Sequence, residues 1–161
     1  MNDPKVIEAL RRSVAAHWTA IEVYTCQVAH FKAWGYPRLA EAVGADPTEE
    51  HKHLDRLLER LEFLEALTDR PEASPQPEYA EDMPEGDESW PRGDLPGIVE
   101  FNLNLESFAA QFERDGCQAA LDAGDFGTFQ VFQENLAGSE EGILTLKATA
   151  RKLTDQTVAN F

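Results

Sequence analysis

The chain has 161 residues, 42% of them hydrophobic, with 30 Asp and Glu against 14 Lys and Arg and a formal net charge of −16. That length and apolar share allow one domain with a true core. The acid excess argues against a binder of nucleic-acid backbone or a polybasic membrane-surface protein, and suits cation binding. The two cysteines, Cys26 and Cys117, form no CxxC pattern, and no apolar run reaches the length of a membrane span. The first residues lack the hydrophobic stretch of a secretion signal, so a reducing, cytoplasmic location is the expectation.

Helical periodicity dominates. Asp3-Pro4 reads as an N-cap with proline in the first turn, opening a helix over about 3–34 that Gly35 stops. Its seam is Ile7, Leu10, Val14, His17, Ile21, Tyr24, Val28 and Phe31. A helix of about 30 residues is about 45 Å long, which points to a bundle of long helices. A second helical region is predicted over 37–68, with Leu39, Val43, Glu50, His53, Leu57, Leu61 and Leu64 on its seam. Gly44 followed by Asp46-Pro47-Thr48-Glu49 predicts a break near residue 45, with Asp46 capping the new start.

Residues 69–94 hold five of the nine prolines, and nine acids against two bases. This reads as a long crossover that Met83 and Trp90 pin to the bundle, or as an acidic loop without fixed structure. A third helix is predicted over 96–123, with Ile98, Phe101, Leu105, Phe108 and Phe112 on one stripe and Glu106 beside it. A fourth is predicted over 125–155, with Phe129, Leu136, Glu140, Ile143 and Ala150 on its seam. The expected fold is therefore all-α, a four-helix up-down bundle forming one domain over 1–161.

The informative residues interrupt the seams. His17, Glu50 with His53, Glu106 and Glu140 each fall near the middle of a helix, where a bundle brings them to one level. Buried carboxylates repel one another and stay protonated unless a cation neutralises them. Carboxylate with imidazole suits iron, manganese or zinc, and Glu-x-x-His puts both donors on one helical face. Taken singly, His17 reads as a satisfied core histidine, and Glu106 or Glu140 as part of a solvated face. His30, His51 and Cys26 lie off the seams, with Cys26 expected to be partly buried.

The chain resembles the bacterioferritin branch of the ferritin-like superfamily. The likeness rests on Phe31-Lys32-x-Trp34-Gly35-x-x-Arg38-Leu39, on the run from Glu50-x-Lys52-His53 through Phe63-Leu64-Glu65, and on Glu140-Glu141-Gly142. It implies a bundle with one long crossover and a dinuclear centre that oxidises ferrous iron with oxygen or peroxide before storing ferric mineral in a cage. It assigns Glu50 and Glu140 as bridging carboxylates, His53 as a terminal imidazole, Glu106 as the third-helix carboxylate and Tyr24 as a neighbouring tyrosine. Two positions depart from the family pattern: His17 stands where it has glutamate, and Ile143 where it has histidine. The expectation is a lopsided metal site, mononuclear or dinuclear, with slow or absent ferroxidase turnover.

His51 stands where the family places the methionine that ligates haem at a two-fold interface. A bis-histidine haem between two protomers is chemically sound there, beside the plainer reading of an exposed histidine. Little chain follows the fourth helix, so a short or missing fifth helix and a homodimer rather than a cage are expected. The rivals to an iron-handling protein are a non-catalytic partner of an intact bacterioferritin, a haem-binding dimer, and an unrelated helical binding module with buried polar networks.

Overall fold

The structure, a computed structural model, describes residues 2–69 and 94–159, with side chains through Gln156. Five helices follow in order: α1 Pro4–Ala33, α2 Leu39–Ala42, α3 Pro47–Phe63, α4 Leu95–Asp122 and α5 Phe126–Ala159. Met83, Trp90 and the rest of 70–93, which the sequence assigns to a crossover, lie outside the described residues.

The helix starts follow from capping chemistry. The Asp3 carboxylate accepts from the Lys5 amide, Asp46 from Glu49 and Asp94 from Gly97, each with a proline in the first turn. These side chains satisfy amide donors that the helix itself leaves open. The region expected as helical over 37–68 is divided, because Gly44 at φ +66° turns the chain before the new cap. Its second part also ends at Phe63, five residues short of expectation, where Glu65 adopts a left-handed φ of 55°.

The helices form an antiparallel bundle in which α3 and α4 run parallel. Asn2 at the start of α1 donates to the Leu64 carbonyl at the end of α3. Asn102, early in α4, pairs with Gln27, late in α1, and donates to the Val43 carbonyl at 2.9 Å. So α3 ends and α4 begins at opposite ends of the bundle. The direction of α5 is fixed by Arg60 donating to Asp125 at 2.7 Å near its start, and by Thr149 donating to the Ala42 carbonyl further along.

Two apolar clusters fill the interior. One gathers Phe31, Val43, Ile98, Phe101, Leu105 and Leu146; the other gathers Leu10, Val14, Leu54, Leu57, Leu61 and Phe132. The buried ionisable residues lie between them. Close approach of α4 to α5 depends on Gly116, because a Cβ there would run into the far edge of the fully buried Phe132 ring.

Burial in α5 runs through Thr128, Phe132, Asn135, Ser139 and Leu146. The expected seam of Phe129, Leu136, Glu140, Ile143 and Ala150 is one residue out of phase with it. Three of the true inward positions carry small polar side chains, so apolar periodicity selects the neighbouring face.

Gly116→Ala is expected to destabilise the fold by about 1–3 kcal/mol, the usual cost of overpacking. Urea denaturation with an unchanged m-value would measure it.

Candidate metal centre

The site is assembled from rungs between antiparallel α1 and α4. Tyr24 donates to Glu106 Oε1 at 2.6 Å, and His17 Nε2 donates to Glu113 Oε1 at 2.9 Å. Both partners step by seven residues, two turns, so the same helix faces meet twice. The other nitrogen of His17, Nδ1, donates to Glu50 Oε2 at 2.6 Å, which brings in α3. From α5, Ser139 Oγ donates to Glu113 Oε1 at 3.2 Å. His17, Glu50, His53, Glu106 and Glu113 are all buried.

Charge follows from this arrangement. Burial alone would depress the His17 pKa, but the hydrogen bonds and charges of Glu113 and Glu50 outweigh it and raise it to about 10. Burial would raise Glu50, yet the hydrogen bond and charge of His17 hold it below the usual range. Burial and the Glu50 charge push Glu106 up to about 8, against the Tyr24 hydrogen bond. Burial also raises Glu113, opposed by its hydrogen bonds from His17 and Ser139. Burial and the neighbouring His17 charge lower His53 and keep it neutral. The His17 imidazolium thus sits between Glu50, which it holds ionised, and Glu113, whose pKa burial raises, with Glu106 keeping its proton up to about 8 beside them.

His53 is the unsatisfied member. Its ring meets that of His17 edge-on with centroids 5.1 Å apart. It is 2% exposed, and neither ring nitrogen has a hydrogen-bond partner among the described residues. Glu113 Oε2 and Ser13 Oγ are also buried and unbonded. One ligand atom from each of His17, His53 and Glu113 lies within 4.8 Å of the others. Two imidazoles and a carboxylate, with buried donor and acceptor capacity unused, fit a first-row divalent cation.

The structure thus brings together His17, Glu50, His53 and Glu106. It does not bring in Glu140, which is exposed, lies 3.9 Å from Arg114, and points away from the centre because of the one-residue phase difference in α5. Glu113 takes part instead. It follows Phe112 of the apolar stripe and is otherwise flanked by the exposed Gln111, Arg114 and Asp115. The available signal was its spacing of two turns from Glu106, matching that of His17 and Tyr24. Ile143 is half-buried, so α5 sends neither carboxylate nor imidazole to the centre. His51 is exposed on α3, its ring 6.1 Å from that of Trp18. Cys26, expected to be partly buried, is exposed. Among the described residues no helix is long and apolar enough to cross a membrane.

A long-helix bundle with Glu-x-x-His on α3, a carboxylate on α4 and a tyrosine bonded to it defines a ferritin-like fold. Residues 7–155 match the ferritin-like domain family, and the chain belongs to that family as a bacterioferritin-like member. A bacterioferritin of Brucella melitensis biotype 1 is 27% identical over 138 residues, covering 86% of this chain and 78% of that protein. A bacterial ferritin of Pseudomonas aeruginosa is 25% identical over 138 residues, covering 86% and 80%. A bacterioferritin of Rhodobacter capsulatus is 28% identical over 154 residues, covering 96% and 87%.

The charge state sets a pH dependence for the metal-free protein. A raised His17 pKa contributes stability that is full below the ordinary value of 6.5 and lost as pH rises through about 10. Glu106 acts in the same direction, since the folded protein keeps up to about 8 a proton that the unfolded chain releases above 4.5. Chelator-treated protein should therefore melt at progressively lower temperature as pH rises from about 5 to about 10. Glu106→Gln should flatten the lower half of that decline and leave the upper half.

Proposed function

We propose that this protein handles iron by binding one divalent cation per chain at a centre built from His17, Glu50, His53, Glu106 and Glu113. Membership of the ferritin-like family and likeness to bacterioferritins support iron storage or buffering as its setting. The observation that carries the reading is His53, a buried imidazole without a hydrogen bond at either nitrogen, clustered with His17 and Glu113.

The roles follow from the contacts. His53 and Glu113 supply donors that nothing else uses. His17 joins them after losing its proton, and Glu50 and Glu106 offset the cation's charge. Tyr24 orients Glu106, and Ser139 steadies Glu113. A bound transition ion would supply Lewis acidity and one-electron chemistry with dioxygen or peroxide. Loading removes protons from His17 and Glu106, so affinity should rise with pH while the stability of the metal-free chain falls.

A second reading has its own support. The His17 imidazolium already pairs with Glu50 and Glu113, so the cluster contains a buried salt bridge without any metal. On that reading the protein is a non-catalytic relative that acts as a structural partner.

Anaerobic ferrous-iron titration of chelator-treated protein separates the two. We expect one iron per chain, proton release on binding, and slow oxidation in air. His53→Ala or Glu113→Gln should weaken binding by at least about tenfold, the lower end of what outer-shell losses cost. Glu140→Gln should change nothing. No binding would leave the structural reading standing, and two irons oxidised rapidly would overturn the single-cation centre.

A further inference from the structure

The buried centre has one side that packing leaves thin. A cavity of about 420 Å³ opens between the α2–α3 segment and α5, with Glu50, His53 and Glu106 at its floor. Six waters at about 30 Å³ each fit within that volume, so a hydrated divalent cation has room. Glu41, Glu49 and Glu141 line its outer part. An acidic rim alone would be an ordinary solvated surface. Here it stands over His53, which is 2% exposed and unbonded at both nitrogens.

Two of the four residues that α5 gives to this cavity wall are glycines. Gly138 and Gly142 lie one turn apart on the same face and both line the space. A Cβ at Gly138 would press into His53 Nε2, and one at Gly142 would lie 3.3 Å from the Glu106 carboxyl. Each mid-helix glycine costs about 0.5–1 kcal/mol relative to alanine. Gly116 makes room for a core ring. This pair faces only the metal centre and the cavity above it.

We propose that the α3–α5 crevice is the route by which a divalent cation reaches the buried centre. Gly138 and Gly142 keep it open, and Glu41 and Glu141 draw cations to its mouth. The proposal rests on the metal-binding reading above. It makes Gly142 an access-determining residue, although it offers no donor atom. The acidic rim concentrates cations by field focusing, an effect that added salt weakens.

The test is the rate of Co²⁺ uptake by the chelator-treated full chain, followed by stopped-flow absorbance at low and high salt. Gly142→Val should slow association about tenfold or more while one Co²⁺ still binds at equilibrium. The double variant Glu41→Gln/Glu141→Gln changes two exposed side chains and should fold normally. It should load several-fold more slowly at low salt, with a shallower salt dependence than the wild type, since Asp46 and Glu49 still line the crevice. Glu59→Gln, which changes charge on an exposed position outside the crevice, should load at the wild-type rate. If the wild type binds Co²⁺ and the double variant loads at the same rate with the same salt response, the route is overturned and the metal centre stands. If the wild type takes up no Co²⁺, both are overturned. Should Gly142→Val fail to fold by circular dichroism, the double variant alone decides.

Discussion

One buried imidazolium holds the centre of this bundle together. His17 donates to Glu50 on α3 and to Glu113 on α4, so a side chain from α1 fixes three helices at one level. Burying any of these charges alone would be prohibitive, and together they are tolerable because each completes another's hydrogen bonds. Removing His17 would leave the Glu50 carboxylate buried without its partner, a defect of about 3–5 kcal/mol in comparable pairs. The apolar clusters on either side supply most of the burial. The polar rung between them decides which rotation of each helix is allowed.

That rung also explains the asymmetry of the site. The donors come from α1, α3 and α4, whereas α5 gives a serine hydroxyl and two glycines. Asn135 supports this from behind by donating to the His53 carbonyl at 3.1 Å and accepting from Arg56 at 3.2 Å. The fourth helix of the bundle therefore positions and uncovers the centre without ligating it. An ion held there would be gripped from one side and approached from the other.

Much of this was legible in the chain. Proline after aspartate marked the starts of α1 and α3, and three-and-four spacing of apolar residues gave the inward faces of α1, α3 and α4. Glu-x-x-His and the mid-helix position of His17 and Glu106 pointed to one shared level. The phase of α5 was not legible, because among its inward positions only Phe132 and Leu146 are apolar, and Thr128, Asn135, Gly138, Ser139 and Gly142 carry no hydropathic signal. Its apolar neighbours, together with Glu140-Glu141-Gly142, selected the wrong face. Glu113 was hidden for the opposite reason: its flanking residues are those of an exposed helix surface. Only pairing across helices, Tyr24 with Glu106 and His17 with Glu113, reveals it, and that information is tertiary.

The parallel course of α3 and α4 sets the order in which such a chain can assemble. The pairs α1–α3 and α4–α5 are each antiparallel neighbours, joined by the segment 34–46 that holds α2 and by a short turn at 123–125, so each can form from local contacts at small entropic cost. The link between them is non-local: His17 and Glu113 are separated by 96 residues. The charged rung is therefore the long-range contact that ties the two hairpins together. Neither hairpin alone can present the complete donor set. A half-folded chain accordingly lacks the assembled donor set, which exists only once the tertiary fold is complete.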